Sequence, residues 1–344
     1  MNFTFGVLTF NSSDTLIETM ESIKYQIETF GSGIDIYLVV SDDCSHDDTI
    51  YILKYWLEKN KNLFTKYLIL ESDINQGVCK NYARMIREIK TDDFLQIAGD
   101  DIICSQNIFE KSYSLKENEL RVYMQYDLQT NFIDIDEYSL ARQLFYSEKK
   151  LSNNKCRQLL ETFPPYRSIE VIFKRFHYSE DCLKFMEKFK NFEDDTSLYY
   201  IFKHNTNTKF TFSNEPLILY RKSETALTQS VGNPGQILFL DDLYKFRKIT
   251  LKNEKNLFTK LILLFSCYHA FKLVHRFSGQ RTIYKKMVIR NRNKLLNKVN
   301  RYKDFSKVKE ECASFISTEN HYIQEIKKRS DFFFKSFEEK QGKK

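Results

Sequence analysis

The chain has 344 residues, of which 42% are hydrophobic and 15% aromatic. This composition is too apolar for a disordered protein, and the length suits one large domain or two of ordinary size. The seven cysteines are widely spread and include no CxxC pair, which argues against a disulfide framework or a zinc site and favours reduced thiols. The opening MNFTFGVLTFNSSD lacks the basic segment and long apolar run of a secretion signal, so we expect a cytoplasmic protein.

The net charge of +7 is distributed unevenly along the chain. Residues 244–344 contain 26 Lys and Arg against 9 Asp and Glu, whereas residues 1–243 contain 27 against 37. Such an asymmetry predicts two regions with different partners.

Residues 1–128 alternate between predicted strands and predicted helices. The strands are predicted at 3–10, 34–40, 66–71, 93–99 and 121–128, and the helices between them at 14–30, 47–60, 78–90 and 105–118. This alternation predicts a mainly parallel sheet flanked by helices, with right-handed crossover connections. In such a sheet the ligand binds beyond the carboxyl ends of the strands.

Pairs of acidic residues follow two of these strands, Asp42-Asp43 after the second and Asp100-Asp101 after the fourth. Adjacent carboxylates beside a buried strand are costly unless they are hydrated, paired or bound to a cation. Asp100-Asp101 is therefore either a site for Mg²⁺ or Mn²⁺ or a solvated turn with a helix cap. Asp42-Asp43 is either an acceptor for the imide N–H of a base such as uracil or two exposed turn acids.

The chain from 129 onward is predicted to be less regular. We predict helices at 139–161, 178–189 and 196–204, strands at 169–174, 208–213 and 216–221, an acidic turn at 191–195 and a mobile loop at 222–236. Residues 237–337 have a mostly helical pattern.

Four segments in one order and spacing resemble a known enzyme family. FGVLTFN, VVSDDCSHDDT, NQGVCKNYARMI and FLQIAGDDI closely resemble inverting glycosyltransferases of family 2, which have the GT-A fold. Asn81-Tyr82 after the NQG segment is most similar to the rhamnosyltransferase-like bacterial branch that makes surface polysaccharides. The resemblance is strong over residues 1–128 and looser over 163–230.

The resemblance implies an α/β GT-A fold, Rossmann-like and mainly parallel, with a helical C-terminal region. Residues 1–236 would form the glycosyltransferase domain, divided into a nucleotide-sugar-binding half (1–128) and an acceptor-binding half (129–236). Residues 237–344 would form a basic, mainly helical region for membrane association or oligomerisation.

The resemblance also assigns residues to the nucleotide-sugar donor. They are Thr9, Phe10, Asn11, Asp42, Asp43, Asn75, Gly77, Lys80, Asn81, Asp100 and Arg221. Residues 9–11 would line the base and ribose pocket, and Asp43 would bind the N3–H of uracil or thymine with Asp42 beside it. Lys80 and Asn81 would either contact the donor or have a structural role. Arg221 or Lys222, on a loop, would close over the diphosphate, because a guanidinium matches phosphate geometry.

The metal and the catalytic base are assigned in the same way. Asp101, with Asp100, would coordinate the Mn²⁺ or Mg²⁺ that bridges the donor diphosphate. Inverting transfer also needs a base that takes the proton of the acceptor hydroxyl. Family members supply it from an acidic pair that opens a helix, and FEDDTSLYY is similar to that segment. Asp194 is the predicted base, Glu193 and Asp195 are alternates, and helix capping is the structural interpretation of all three.

The basic tail has two interpretations. In residues 256–276 apolar side chains share one helical face with lysines and arginine at its edges, which is typical of a helix lying on an anionic membrane surface, where a polyprenyl-linked acceptor would be found. Internal packing or a homo-oligomer would account for the same pattern, and no nucleic-acid partner is predicted.

Together these features predict a metal-dependent inverting glycosyltransferase that moves a sugar from a UDP-sugar to a glycan or glycolipid hydroxyl in bacterial surface polysaccharide synthesis. It would act in the cytoplasm, at the inner face of the membrane. The alternative is a catalytically silent scaffold with the same fold that acts through its basic tail.

Overall fold

The computed structural model describes residues 1–130, 132–149, 167–204, 209–222, 234–255 and 305–341, with Leu257, Lys260, Leu261 and Leu264. Its first sheet contains the strands β1 (Asn2–Thr9), β2 (Asp35–Asp42), β3 (Lys66–Glu71) and β4 (Phe94–Ala98). All are parallel, in the order β3-β2-β1-β4. The first four predicted strands are confirmed, each within two residues at either end.

Three helices connect these strands: α1 (Leu16–Phe30), α2 (Thr49–Asn60) and α3 (Val78–Glu88). The apolar residues of α1 recur at helical spacing, so that Leu16, Met20 and Ile23 point to one side, and all three are fully buried. They pack in one core with Phe3 and Phe5 of β1. The parallel sheet and its flanking helices therefore form as the hydrophobic pattern predicts.

A second sheet lies beyond the first. Its strands are β5 (Ile102–Ile103), β6 (Glu119–Leu128), β7 (Ile133–Ile135) and β8 (Lys209–Arg221), in the order β5-β8-β6-β7. β6 runs parallel to β8 and antiparallel to β7, and β5 is antiparallel to β8. The fifth predicted strand thus belongs to a mixed second sheet, and the two strands predicted at 208–213 and 216–221 are one irregular strand.

The remaining helices before residue 205 are shorter than predicted or begin elsewhere. They are α4 (Ile108–Tyr113), α5 (Glu137–Lys149), α6 (Glu180–Met186) and α7 (Glu193–His204); residues 150–161 of the predicted helix 139–161 lie outside the described residues. The strand predicted at 169–174 is wrong, since a 3₁₀ turn at Ser168–Glu170 and two isolated bridges, at Val171 and Lys174, occupy this stretch. Val171, Ile172 and Phe173 are buried, so their apolar run reflects burial without a paired strand.

Two helices of the C-terminal region pack on the rest of the protein. The helix α8 (Pro234–Asn253) spans the predicted domain boundary at 236–237, and the division of the chain at that boundary stays a prediction. The helix α9 (Phe305–Gln341) lies against α1, β7 and β8, and its Ile323 and Ile326 share a core with Tyr126 of β6. These helices therefore complete the core of the α/β domain.

The proposed membrane-surface segment, 256–276, lies outside the described residues except at four positions. Among the helices that the structure describes, none is both long enough and apolar enough to cross a membrane.

Candidate active site

The segments that follow β1 and β2 are joined by side-chain hydrogen bonds. The Asp42 carboxylate accepts from Thr9 Oγ1 at 2.8 Å and from Ser45 N at 2.8 Å. Asn11 donates its N–H to Ser45 Oγ, and its Oδ1 accepts from His46 N, both at 2.8 Å. Thr9, Asn11 and Asp42 thus build the wall of the predicted base pocket, while their contact with a donor stays a prediction.

Phe10 and Asp47 lie beside these residues, and the two have different surroundings. Phe10, between the two hydrogen-bonded residues, leaves 45% of its surface exposed, as a residue that stacks on a base requires. Asp47 accepts from Thr49 N at 3.1 Å and Ser13 N at 3.0 Å. Burial opposes ionisation of Asp47, but these hydrogen bonds outweigh it and lower its pKa. Asp47 therefore holds the start of α2 as a charged group.

Asp43 holds the turn that precedes α3. Its two carboxylate oxygens accept from Gln76 N and Gly77 N, each at 2.8 Å, and it is only 4% exposed. Gly77 has a φ of 88°, and a Cβ there would lie 2.7 Å from Lys190 O, so no other residue fits without strain. Each Asp43 oxygen keeps a second lone pair, which leaves the predicted contact with a base N–H open.

The other predicted donor residues near this turn have unlike environments. Asn81 is 5% exposed, donates to Ser41 O at 2.9 Å and accepts from Ser41 Oγ at 2.7 Å. It therefore anchors α3 to the end of β2, which agrees with the structural role considered for it. Lys80 and Asn75 are exposed, so a ligand has access to both side chains.

The Asp100-Asp101 pair forms the turn between β4 and β5, and Arg221 closes over it. Arg221 N donates to Asp101 Oδ1 at 2.8 Å, and its Nε donates to Asp100 O at 2.6 Å. The Arg221 guanidinium also forms an ion pair with Glu18 of α1 at 2.5 Å. Arg221 is the last residue of β8, where the strand predicted at 216–221 also ends, and it is held at the acidic turn; closure of Arg221 or Lys222 over a diphosphate stays a prediction.

Negative charge is in excess at this turn. Burial and the neighbouring Asp100 raise the pKa of Asp101 well above its usual value, and burial raises that of Asp100. The single guanidinium of Arg221 faces both these carboxylates and that of Glu18. Two hard oxygen donors in a negative, poorly hydrated place fit Mg²⁺ or Mn²⁺, which would complete its shell with water and phosphate oxygens. In the described part of the chain no cluster of three or more potential metal-ligating side chains occurs.

The three candidates for the base lie in the first turn of α7. The helix begins at Glu193, so residues 193–195 of the predicted acidic turn are helical. The positive N-terminal end of the helix dipole favours negative charge on these carboxylates. Burial, with the charge of Asp194, raises the pKa of Glu193 to about 8. Burial also raises the pKa of Asp195 to about 6, while Arg247 opposes this shift. Burial and the charge of Asp194 thus oppose ionisation of Glu193, which favours Asp194 or Asp195 as the base.

Tyr220 connects the two acidic groups. It precedes Arg221 in β8, and burial is the main reason that its pKa is raised to about 12. The charges of Asp101, Asp100 and Asp194 raise this pKa further. The charges of both the Asp100-Asp101 turn and the start of α7 thus act on one phenol, so the two acidic groups lie within electrostatic range of the same side chain.

Sequence reasoning missed three residues beside these acidic groups: Glu18, Tyr220 and Asp242. Glu18 resembles an ordinary acid in the first turn of a helix, and Asp242 lies in the region interpreted as a tail. Tyr220 alone of the three has a local signal, since it directly precedes Arg221, which the resemblance assigns to the donor.

Comparison with known proteins identifies the family. The model described as "Glycosyl transferase family 2" matches residues 4–217. The chain belongs to glycosyl transferase family 2. The matched range includes the Asp100-Asp101 pair and the three acids at the start of α7, and it ends just before Tyr220. The protein is therefore a glycosyltransferase, as predicted; its place in the rhamnosyltransferase-like branch stays a prediction.

Solved structures agree on the fold. S. aureus TarS 1-349 in complex with UDP-GlcNAc is 15% identical to this glycosyltransferase, with a TM-score of 0.55 over 99% of this chain and 92% of that chain. A second structure of TarS 1-349 gives a TM-score of 0.52 with the same coverage. This likeness confirms the predicted GT-A fold. Among curated proteins, Protein ATC1/LIC4 of Debaryomyces hansenii is 24% identical over 218 residues, 59% of this chain and 83% of that protein.

Proposed function

We propose that this glycosyltransferase is metal-dependent and inverting, and that it moves a sugar from a nucleotide-diphosphate donor, a UDP-sugar, to a hydroxyl of a glycan or polyprenyl-linked glycolipid in bacterial cell-surface polysaccharide biosynthesis. The observation that carries the proposal is the turn after β4, where Asp101 is 1% exposed and Arg221 N donates to its Oδ1 at 2.8 Å; the charges of this turn and of Asp194 both act on Tyr220. An inverting transfer needs both groups in one cleft, one beside the leaving diphosphate and one beside the acceptor.

The donor half rests on the turn after β4. The backbone N–H of Arg221 binds one oxygen of Asp101 and thereby orients the other. Mg²⁺ or Mn²⁺ held by Asp100 and Asp101 would neutralise the charge that develops on the departing diphosphate. Because TarS of similar fold was solved with UDP-GlcNAc, uridine is the first base to test, with Asp43 as the acceptor for its N3–H.

The acceptor half rests on the first turn of α7. The acceptor hydroxyl oxygen forms a bond to the anomeric carbon on the face opposite the diphosphate, while the bond from that carbon to the diphosphate oxygen breaks and its electron pair leaves with the diphosphate. The hydroxyl proton passes to the carboxylate of Asp194 or Asp195. An unmodified carboxylate suffices because the hydroxyl loses its proton late in an oxocarbenium-like transition state.

Calorimetric titration of UDP with and without Mn²⁺ tests the donor half. We expect Mn²⁺ to lower the Kd for UDP by roughly tenfold or more, because a cation that contacts the diphosphate should contribute at least about 1.4 kcal/mol to the binding free energy. Equal affinity in Mn²⁺ and in EDTA would contradict metal dependence. UDP binding without transfer from UDP-, dTDP- or GDP-sugars to any lipid or glycan acceptor would favour the silent scaffold.

The variant Asp194→Asn tests the base. Turnover should fall on the order of 10²- to 10⁴-fold, the usual contribution of a general base, while UDP affinity stays within about twofold. Asp181→Asn is the matched control, because Asp181 is an exposed acid in the first turn of α6. Turnover that survives in Asp194→Asn but is lost in Asp195→Asn moves the role to Asp195. Survival in both of these variants and in Glu193→Gln contradicts the assignment to this helix.

The basic C-terminal region is proposed to bring the enzyme to an anionic membrane surface. Since α8 and α9 pack on the catalytic domain, the part left for lipid is the chain between them, residues 254–304, which carries 13 basic against 2 acidic residues. Flotation with anionic liposomes should carry the protein upward, and neutral liposomes should not. Absence of flotation with both would refute this part of the proposal.

A further inference from the structure

The turn that leads into α7 is bound by a side chain from the C-terminal region. Lys190 N and Asn191 N both donate to Asp242 Oδ2 of α8, at 2.8 and 2.7 Å. Asp242 is only 8% exposed. A buried carboxylate that accepts two successive backbone N–H groups forms charge-assisted hydrogen bonds, which are stronger than neutral ones. Asp242 therefore fixes the backbone directly before the three acids of α7.

The same turn is bound from its other side by α3. Cys79 N donates to Lys190 O at 3.1 Å, and Phe192 N donates to Cys79 Sγ at 3.2 Å. Gly77 lies directly against Lys190, and its N–H is bound by Asp43. Asp242 is thus one of two clamps on residues 190–192, and the other belongs to the donor half of the protein.

Apolar packing holds α8 in place beside the acids. Phe246, one turn after Asp242, is 1% exposed, and its ring centroid lies 5.4 Å from those of both Phe192 and Tyr199. These two rings stand on either side of the acidic turn of α7. Arg247 of the same helix is the cation that most lowers the pKa of Asp195. The contact is therefore an extended interface and not an isolated hydrogen bond.

We propose that Asp242 is a positioning residue for the base of α7: by binding the N–H groups of Lys190 and Asn191 it sets where the helix begins and where its carboxylates meet the acceptor hydroxyl. The inference rests on the proposed function, since it takes the base from this helix. It makes α8, which the sequence assigned to a membrane or oligomerisation region, part of the catalytic machinery.

The test compares two neighbouring aspartates in the full-length enzyme. Asp242→Ala removes the acceptor of both N–H groups, and we expect kcat to fall roughly 10- to 100-fold, because small displacements of a catalytic group have effects of this size. The Kd for UDP should stay within about twofold, since the strand ends that hold the donor do not contact Asp242. Asp242→Asn keeps an oxygen acceptor and should recover much of the lost kcat. Asp241→Ala, at an exposed neighbour of equal charge, should match the wild type.

The possible outcomes separate this inference from the proposed function. If Asp194→Asn is inactive but Asp242→Ala turns over at the wild-type rate, the positioning role of Asp242 is refuted and the proposed function stands. If Asp242→Ala loses UDP binding along with turnover, Asp242 supports folding in general and the inference is again refuted. If single neutral substitutions of all three α7 acids leave turnover intact, the proposed base fails and the inference fails with it.

Discussion

The carboxylates after β2 and those after β4 lie on either side of β1, and the protein uses them in opposite ways. Asp42 accepts hydrogen bonds from Thr9 and Ser45, and Asp43 accepts from Gln76 and Gly77. At the turn after β4, burial and mutual repulsion raise the pKa of Asp101 instead. The first pair accepts hydrogen bonds from four residues, whereas the surroundings of the second disfavour its negative charge even though Arg221 N donates to Asp101.

This difference shows how two similar acidic pairs acquire different roles. A carboxylate whose oxygens bind backbone N–H groups stabilises the loops around it. A buried carboxylate beside another one lowers stability unless a cation joins them. The pair after β2 is therefore expected to support the fold and the shape of the base pocket, and the pair after β4 to serve chemistry at some cost in stability.

Asp101→Asn should show the largest effect on function. We expect the transfer rate to fall at least about 100-fold. Loss of a residue that only hydrogen-bonds to a metal ligand already lowers metal affinity or activity about 10- to 100-fold. The free energy of unfolding at pH 7, measured with urea, should stay the same or rise, because the repulsion from Asp100 disappears. A clear loss of stability would mean that Asp101, like Asp42, holds the fold.

Asp42→Ala should have the converse effect. It leaves the hydroxyl of Thr9 and the N–H of Ser45 without their acceptor, which we expect to cost about 2–4 kcal/mol of unfolding free energy. Asp48→Ala is the matched control, since Asp48 is exposed and its side chain makes no cap hydrogen bond. Equal urea midpoints for the two variants would remove the distinction drawn between the two acidic pairs.

Glu319 of α9 extends the comparison to a third kind of carboxylate. It is fully buried, it accepts hydrogen bonds from Ser105, and burial raises its pKa from 4.5 to about 7. Between these values the folded state binds more protons than the unfolded one, so stability falls as the pH rises, by up to about 3 kcal/mol. Glu319→Gln should remove this loss and stabilise the protein at pH 8 but not at pH 4.5. Equal urea stability of both forms at pH 8 would contradict this prediction.

We expect the smallest effect in the pH dependence of turnover, which tests whether Asp195 of α7 is the base. If Asp195, with its pKa of about 6, is the base, kcat should fall about tenfold per pH unit below that value, because only the ionised carboxylate accepts a proton. Steady-state rates from pH 5 to 8 would show this limb. A limb that persists in Asp195→Asn would show that Asp195 is not the titrating base.

The sequence by itself determined the elements whose signals are local. The boundaries of β3 match the prediction at both ends, and α1 to α3 follow from apolar residues at helical spacing. The positions of the acids after the strands, and the resemblance that assigns them to a donor, a metal and a base, were also readable from short segments. Each of these signals needs only neighbouring residues, because backbone geometry sets side-chain direction over one turn or one strand.

Tertiary structure alone decided how distant segments meet. β6 joins the second sheet because β8, almost ninety residues later, pairs with it, and Arg221 binds Asp101 across 120 residues. The C-terminal helices look like a separate basic region in sequence, yet their apolar faces cover the domain and Asp242 reaches the turn before α7. Such contacts leave no local pattern in the sequence. A buried carboxylate is tolerated because backbone N–H groups nearby in space donate to it, and these groups belong to distant parts of the chain.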